Sequence, residues 1–293
     1  MSRTTGQSPL AHVNARILAL RTVFRTVGTL APNTAARWAE TLFCTPPKHE
    51  MREREERFLE SGERFHVPWK RERDTLNLAG WRWGSGPLVV LVHGWGSRAG
   101  RFSRFVPVLV DAGFSAVAYD GPAHGRTGGR QASLPEFADA LAAMTGAVGT
   151  VAGYVGHSLG GAAIMLAYGR GLPAVPSVLI SAPADPEIFS RRFARHLGIS
   201  NPVRERMEQK LRSRLRMEWR DLYVPEHAAA FDPPLLVVHD AGDTDVPFTD
   251  GEAIATAAPH ATLIRTTGLG HRAIMRDPDV VRQVAGFLQS QVR

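Results

Sequence analysis

The chain has 293 residues, of which 44% are hydrophobic and 22% charged, a composition typical of a soluble protein with one large core. Its single cysteine, Cys44, excludes an intrachain disulfide, and no apolar run approaches the roughly 18 residues of a membrane-spanning helix. The net charge is +7, but no nucleic-acid module accompanies it, so we expect no nucleic-acid partner. Residues 1–5 do not open a secretory signal, and we expect a cytoplasmic location.

Residues 1–62 are predicted to form a helical N-terminal extension. Asn33 is a candidate N-cap of its second helix, over residues 35–43, which ends before two prolines. Docking of this basic, apolar-faced extension on the protein's own core or on a partner subunit is favoured, and peripheral contact with a membrane surface is the alternative. The oligomeric state is left open. The apolar residues of the first helix recur at helical spacing: Val13, Ile17, Leu20, Phe24 and Val27.

The sheet is predicted to begin with an antiparallel pair of strands at its edge, over residues 65–69 and 75–83. Two further strands, over residues 87–92 and 116–119, are each followed by a glycine-containing turn. Ser133 and Glu136 form a capping box at the start of an alanine-rich helix.

The most informative motif is the G-x-S-x-G sequence of residues 156–160, which follows an apolar strand over residues 151–155. A nucleophilic serine must stand exposed on a sharp turn between a strand and a helix, and glycine flanks let the backbone turn that tightly. Ser158 is therefore the candidate nucleophile. The helix that follows, over residues 161–167, has almost no side-chain bulk in its first turn.

About fifty residues then separate the strand at 178–181 from the next strand at 235–239. Asn201 and Pro202 are a candidate N-cap and first-turn pair. This stretch is rich in arginine, and a solvated helical face explains that charge best. Binding of an acidic substrate, of nucleic acid, or of anionic lipid by peripheral membrane contact is the alternative. An apolar stripe recurs at every fourth residue of its main helix: Val203, Met207, Leu211, Leu215 and Trp219.

A carboxylate and a histidine follow the last two strands. Asp243 lies in the turn after residues 235–239, and His271 follows a strand over residues 261–265. The order serine, carboxylate, histidine is the order of the nucleophile-elbow hydrolases. Asp245 and Asp185 are the alternatives for the acid.

From about Thr75 to its C-terminus the sequence resembles the α/β-hydrolase family. Three further segments carry the likeness: residues 93–96 (HGWG), 120–125 (DGPAHG) and 239–247 (HDAGDTDVP), the last with Asp240 where the family has glycine. The resemblance implies an α/β fold with a mostly parallel, doubly wound sheet and helices on both faces. It also implies that residues 182–232 form a helical lid inserted into a core of residues 63–181 and 233–293.

The chemistry of acyl transfer assigns the roles. His271 would take the Ser158 proton, Asp243 would orient His271, and the backbone N–H groups of Trp95 and Leu159 would bind the oxyanion. The other histidines of the motifs are interpreted as structural, and neither a metal site nor a cofactor is expected. His260 precedes its strand and competes little with His271. The histidines interpreted as structural are His93, His124, His157 and His239.

These features predict a serine hydrolase that acts on a small-molecule acyl substrate, most simply a carboxylic ester. Serine at position 158 disfavours relatives that use aspartate there, such as haloalkane dehalogenases. Thioesterase, lactonase and C–C hydrolase activities use the same triad and stay open. A second hypothesis, from a different class, is a non-catalytic α/β-hydrolase that serves as a binding module.

Overall fold

The computed structural model describes residues 9–72 and 74–292, so the prediction for residues 1–5 and the side chain of Val13 lie outside the described residues. The chain divides into two compact units. A helical unit combines the described residues up to Cys44 with Pro186–Asp221, and a sheet unit contains residues 45–185 together with those from 222 onward. The predicted N-terminal extension therefore contributes to both units, since residues 45–62 belong to the sheet unit.

The sheet unit is built on a sheet with eight strands in the described part of the chain. The strands are β1 (Glu63–Lys70), β2 (Thr75–Trp83), β3 (Leu88–Val92), β4 (Ser115–Tyr119), β5 (Val151–His157), β6 (Ser177–Ile180), β7 (Leu235–Asp240) and β8 (Ala261–Thr266). Their spatial order is β1-β2-β4-β3-β5-β6-β7-β8. β2 pairs antiparallel with β1 and β4, and the other neighbouring pairs are parallel. The predicted mostly parallel sheet with an antiparallel edge pair is confirmed.

Helices cover the sheet on both faces. As a result, all five residues of β3 and all five of β4 are buried, although successive side chains face opposite sides of the sheet. The helices of the sheet unit are α3 (Glu53–Glu60), α4 (Phe105–Asp111), α5 (Leu134–Val148), α6 (Leu159–Tyr168), α9 (Val224–Ala229), α10 (Phe248–Ala257), α11 (Gly270–Ala273) and α12 (Pro278–Gln291). Those of the helical unit are α1 (Pro9–Leu30), α2 (Pro32–Phe43), α7 (Glu187–Leu197) and α8 (Asn201–Leu215). α4 and α12 share one core cluster with Val89 and Leu91 of β3.

Local capping explains where the helices begin and end. Ser133 caps α5, as predicted, and its hydroxyl oxygen accepts the Glu136 N–H. α2 begins at Pro32, so Asn33 lies inside the helix and does not cap it; proline is preorganised for a first helical position. α8 begins one residue earlier than predicted and ends at Leu215, because Arg216 adopts a left-handed conformation with φ 53°.

The helical unit has its own core, which α1, α2, α7 and α8 share. The first three residues of the stripe predicted on α8 are buried, whereas Trp219 lies on a separate 3-10 turn. Glu208 is buried among these helices and accepts hydrogen bonds from Ser190 and Arg204. The buried apolar residues of this core are Phe24, Ala35, Ala36, Ala39, Cys44, Ala194, Leu197, Ile199, Val203, Met207 and Leu211.

Candidate active site

Ser158 stands on a strained turn between β5 and α6. Its φ of 54° and ψ of −124° lie in a region that costs a non-glycine residue about 1–3 kcal/mol. The backbone holds this conformation, since Ser158 N–H donates to Ile180 O at 2.8 Å and Ser158 O accepts the Gly161 N–H at 2.9 Å. The side chain is partly exposed, as a nucleophile requires.

Glycine at positions 156 and 160 permits this turn. A Cβ on Gly156 would lie 2.6 Å from the Gly161 Cα, so β5 and α6 touch through bare backbone. A Cβ on Gly160 would lie 2.1 Å from the Val92 carbonyl oxygen, so the first turn of α6 rests on the end of β3. The sequence therefore places the amino end of α6 directly behind Ser158.

Asp243 and His271 meet beyond the carboxyl ends of β7 and β8. Asp243 Oδ2 lies 2.8 Å from His271 Nδ1, and the Asp243 side chain is fully buried. Burial raises the pKa of Asp243, but hydrogen bonds from His271, Val246 and Asp245 outweigh burial and lower the pKa below its ordinary value. The ionised carboxylate accepts the Nδ1 proton, which leaves His271 Nε2 as the nitrogen able to take a proton.

The alternative acid Asp245 plays a different part. Its backbone N–H donates to Asp243 Oδ1 at 2.9 Å, and its own carboxylate lies 3.8 Å from the Arg272 guanidinium. The carboxylate that the structure pairs with His271 is thus Asp243. Asp185 follows β6, on a different strand of the sheet.

Asp240, which the sequence analysis noted only as a departure from glycine, holds the loop that carries His271. Asp240 Oδ2 accepts hydrogen bonds from the Leu269 N–H at 3.0 Å and the Thr266 hydroxyl at 2.8 Å, and Oδ1 accepts the Gly242 N–H at 2.9 Å. Burial opposes ionisation of Asp240, yet these bonds lower its pKa below the ordinary value. The bond to Gly242 is an Asx turn, and an aspartate two residues before glycine is its sequence signal.

The backbone turn after β3 faces Ser158. A Cβ on Gly94 would lie 2.8 Å from the Ser158 Cβ, so Trp95 follows a residue in direct contact with the candidate nucleophile. Leu159 occupies the first position of α6, where a helical N–H has no partner within its own helix. These are the two N–H groups that the sequence analysis assigned to oxyanion binding.

Two buried histidines fix that turn. His93 Nε2 accepts the Gly121 N–H at 2.8 Å, which leaves Nδ1 to donate to Gly94 O at 2.8 Å. His124 Nε2 accepts the Gly96 N–H at 2.9 Å. Burial lowers the pKa of His93 to about 3 and that of His124 to about 4, so both rings are neutral at pH 7.

His157 and His239 also bond to backbone near the Asp243–His271 pair. His157 Nε2 donates to the His271 carbonyl oxygen at 2.9 Å, and burial together with His271 lowers the pKa of His157 to about 3. His239 Nε2 lies 3.1 Å from Val246 O and 3.6 Å from Asp243 Oδ2, and burial lowers its pKa. Both rings position backbone next to the candidate triad.

A cavity of about 360 Å³ lies in the sheet unit against the turn after β3. Gly96 and Ser97 line one side, and Lys48 and Arg126 add basic groups. Within residues 9–72 and 74–292, no three histidine, cysteine, aspartate or glutamate side chains lie close enough together to hold a metal ion.

Comparisons with known proteins find similarity to hydrolases. A family model described as serine aminopeptidase, S33, matches residues 86–214. A monoacylglycerol lipase from Mycolicibacterium smegmatis is 33% identical over 106 residues, which cover 33% of this chain and 38% of the lipase. A pimeloyl-[acyl-carrier protein] methyl ester esterase from Aromatoleum aromaticum is 27% identical over 239 residues, which cover 66% of this chain and 94% of that enzyme.

Solved structures give the same fold. An esterase from Thermogutta terrifontis superposes with a TM-score of 0.60 at 20% identity, covering 79% of this chain and 100% of that one. An esterase from Pyrococcus furiosus gives a TM-score of 0.63 at 21% identity, covering 85% and 98%. At these identities the likeness is one of fold.

Proposed function

We propose that this chain, which has an α/β-hydrolase fold, hydrolyses carboxylic esters with Ser158 as nucleophile, His271 as general base and acid, and Asp243 as the carboxylate that orients His271. The observation that carries the proposal is the 2.8 Å contact between Asp243 Oδ2 and His271 Nδ1. It lies beyond the carboxyl ends of the parallel strands, the same end of the sheet at which β5 presents Ser158.

In the first half-reaction, Ser158 Oγ attacks the ester carbonyl carbon while His271 Nε2 takes the hydroxyl proton. The C–O bond to the leaving alcohol then breaks, and His271 returns the proton to the alcohol oxygen. The product is an acyl ester of Ser158. Buried Asp243 stabilises the transient imidazolium, because its lowered pKa keeps it ionised beside Nδ1.

In the second half-reaction, water attacks the acyl carbon and gives its proton to His271, which passes it to Ser158 Oγ as the carboxylic acid departs. Each attack creates an oxyanion that needs hydrogen-bond donors fixed beforehand. The N–H groups of Trp95 and Leu159 are the proposed donors, and losing one such donor typically costs about 3 kcal/mol of transition-state stabilisation. His93 and His124 support this role, because they tie down the turn that carries Trp95.

The names of the relatives favour an ester over the other acyl substrates. One is named a monoacylglycerol lipase and another a methyl ester esterase. Thioesterase, lactonase and C–C hydrolase activities require the same serine, histidine and carboxylate, so a substrate panel must include them. Lid function for residues 182–232 and a cytoplasmic location stay predictions.

Labelling with a fluorophosphonate probe, followed by peptide mapping, tests the proposal. We expect modification at Ser158, loss of labelling in Ser158→Ala, and a fall in ester turnover of about a million-fold. Ser290→Ala is the matched control, since Ser290 lies on the exposed face of α12. Ester turnover that survives Ser158→Ala would overturn the mechanism.

The same experiment separates the binding-module hypothesis. A folded chain that resists the probe and turns over none of the esters, thioesters and lactones of the panel would favour a non-catalytic role. Circular dichroism of both variants establishes that any loss comes from chemistry rather than from unfolding.

A further inference from the structure

The exposed large hydrophobic side chains of the described chain all lie on α1 and α2. They include Leu30, 80% exposed, and Leu18, 64% exposed. Val23, Trp38 and Leu42 are the others. Scattered exposed leucines are ordinary, but confinement of all of them to two consecutive helices marks an interaction surface.

Burial in the helical unit accounts for only one side of these helices. Phe24 of α1 and Ala35, Ala36 and Ala39 of α2 lie in the core of that unit. Val23 and Leu30 are seven residues apart, and Trp38 and Leu42 are four apart, so each pair shares one side of its helix. Some apolar side chains of α1 and α2 are therefore buried in the core of the helical unit, and others stay exposed outside it.

The charge of this surface is positive. Residues 9–44 contain four arginines and one acid, Glu40. Glu40 is not available to offset them, because its carboxylate lies 3.1 Å from Arg214 Nε and is largely buried. Arg25 and Arg37 are exposed on the same two helices, whereas Arg21 Nε donates to the His196 carbonyl oxygen at 2.9 Å.

Exposed apolar side chains interspersed with arginines match an anionic lipid surface. The apolar groups enter the boundary of the acyl chains, and the guanidinium groups meet lipid phosphates. A second copy of the chain fits less well, because a two-fold interface on this surface would bring arginines together without acids to pair them. None of the described helices is long and apolar enough to cross a membrane.

We propose that α1 and α2 form a peripheral membrane-binding surface, defined by exposed Leu18, Val23, Leu30, Trp38 and Leu42 together with exposed Arg25 and Arg37 of the same helices, and that its ligand is an anionic phospholipid bilayer. The proposal concerns binding and is independent of the ester chemistry.

Sedimentation with vesicles tests it, using phosphatidylcholine with phosphatidylglycerol and phosphatidylcholine alone. We expect the full chain to bind the anionic vesicles, and binding to weaken at high salt. The double variant Trp38→Ser with Leu42→Ser should lower the partition by about tenfold or more, because both apolar side chains are lost. Circular dichroism and thermal unfolding of this variant should match those of the native chain, which shows that the variant is folded.

A charge-matched pair of variants separates this face from general attraction. Arg25→Gln with Arg37→Gln should reduce binding by about tenfold or more, whereas Arg104→Gln with Arg130→Gln, exposed on the sheet unit, should change it little. Equal losses in the two double variants would overturn the proposal. Native vesicle binding in Trp38→Ser with Leu42→Ser would also overturn it. So would a native chain that does not bind vesicles and forms a dimer in analytical ultracentrifugation, if the same double variant is a monomer.

Discussion

Two carboxylates at the end of β7 and in the turn after it have different roles although only two residues lie between them. Asp243 faces His271 Nδ1, whereas Asp240 faces backbone N–H groups and the Thr266 hydroxyl. Neither pairs with an arginine. Both stay ionised because hydrogen bonds outweigh their burial, and each holds a different part of the segment that carries His271.

Asp240→Asn should damage catalysis without touching a reacting atom. An amide presents only one acceptor oxygen, so a buried N–H would face an NH₂ group and the variant should lose about 1–3 kcal/mol of stability. We expect kcat to fall by about tenfold or more, because the His271 loop shifts, while KM changes little. Steady-state kinetics and urea unfolding measure the two effects.

Asp245→Asn is the comparison variant for Asp240→Asn. Asp245 contributes its backbone N–H to Asp243, which the substitution retains, and its side chain is partly exposed. Near-native kcat is expected. If Asp245→Asn proved as damaging as Asp240→Asn, the positioning role given to Asp240 would fail.

At the scale of elements, the contact of α6 with β3 is the tightest constraint on the site. A glycine-flanked serine after an apolar run was enough to predict the strand, the turn and the helix. The contact that makes Gly160 necessary, with Val92 O of a strand more than sixty residues earlier, could not be read from local pattern. The predicted first residues of α2 and α8 were also wrong. Several neighbouring residues near the start of each helix can act as its N-cap, so local sequence does not decide between them.

Gly160→Ala should displace α6 and abolish fluorophosphonate labelling of Ser158. Its Cβ would lie 2.1 Å from the Val92 carbonyl oxygen, and backbone cannot yield that far without moving a core strand. Gly146→Ala, on the exposed side of α5 with open space around the new Cβ, should instead raise the free energy of unfolding by about 0.5–1 kcal/mol. Fluorophosphonate labelling and thermal unfolding of the two variants measure the expected loss in Gly160→Ala and the expected gain in stability in Gly146→Ala.

At the scale of the whole molecule, neutral buried histidines couple folding to pH. The pKa is lowered from 6.5 to about 3 in His93 and His157 and to about 4 in His124, so the unfolded chain binds more protons below pH ~6.5. Above that pH the three neutral rings do not lower the free energy of unfolding. Below it the free energy of unfolding falls, because protonation of these histidines favours the unfolded chain. Asp120 acts oppositely, because burial raises its pKa from 3.8 to about 6 and its native form binds a proton first.

The three histidines outweigh the one aspartate. Near pH ~5 the unfolded state should bind about two more protons, so the free energy of unfolding should fall by about 3 kcal/mol per pH unit on acidification. Urea unfolding between pH ~7 and pH ~5 measures this slope. A flat profile would mean that these rings are solvated and protonated in the native state.

The fold was predictable because its motifs sit at strand ends, where the sequence signal is strong. Ser158, Asp243 and His271 were assigned from the serine motif and the chain order, and the turn of His93 and Gly94 from the family resemblance. The joint core of α1, α2, α7 and α8 was not predictable, since periodicity shows that a helix has an apolar side but not which distant helix meets it. Asp240 was missed because its partners, Thr266 and Leu269, come from the next strand and loop.

The helical unit also has a consequence for synthesis. α1 and α2 leave the ribosome before α7 and α8, whose residues complete their core and are made ~150 positions later. At typical elongation rates the interval is about 10–30 s. Throughout that time the buried side chains of α1 and α2 lack the part of their core that α7 and α8 provide, so the nascent chain exposes apolar surface until translation has passed Leu211.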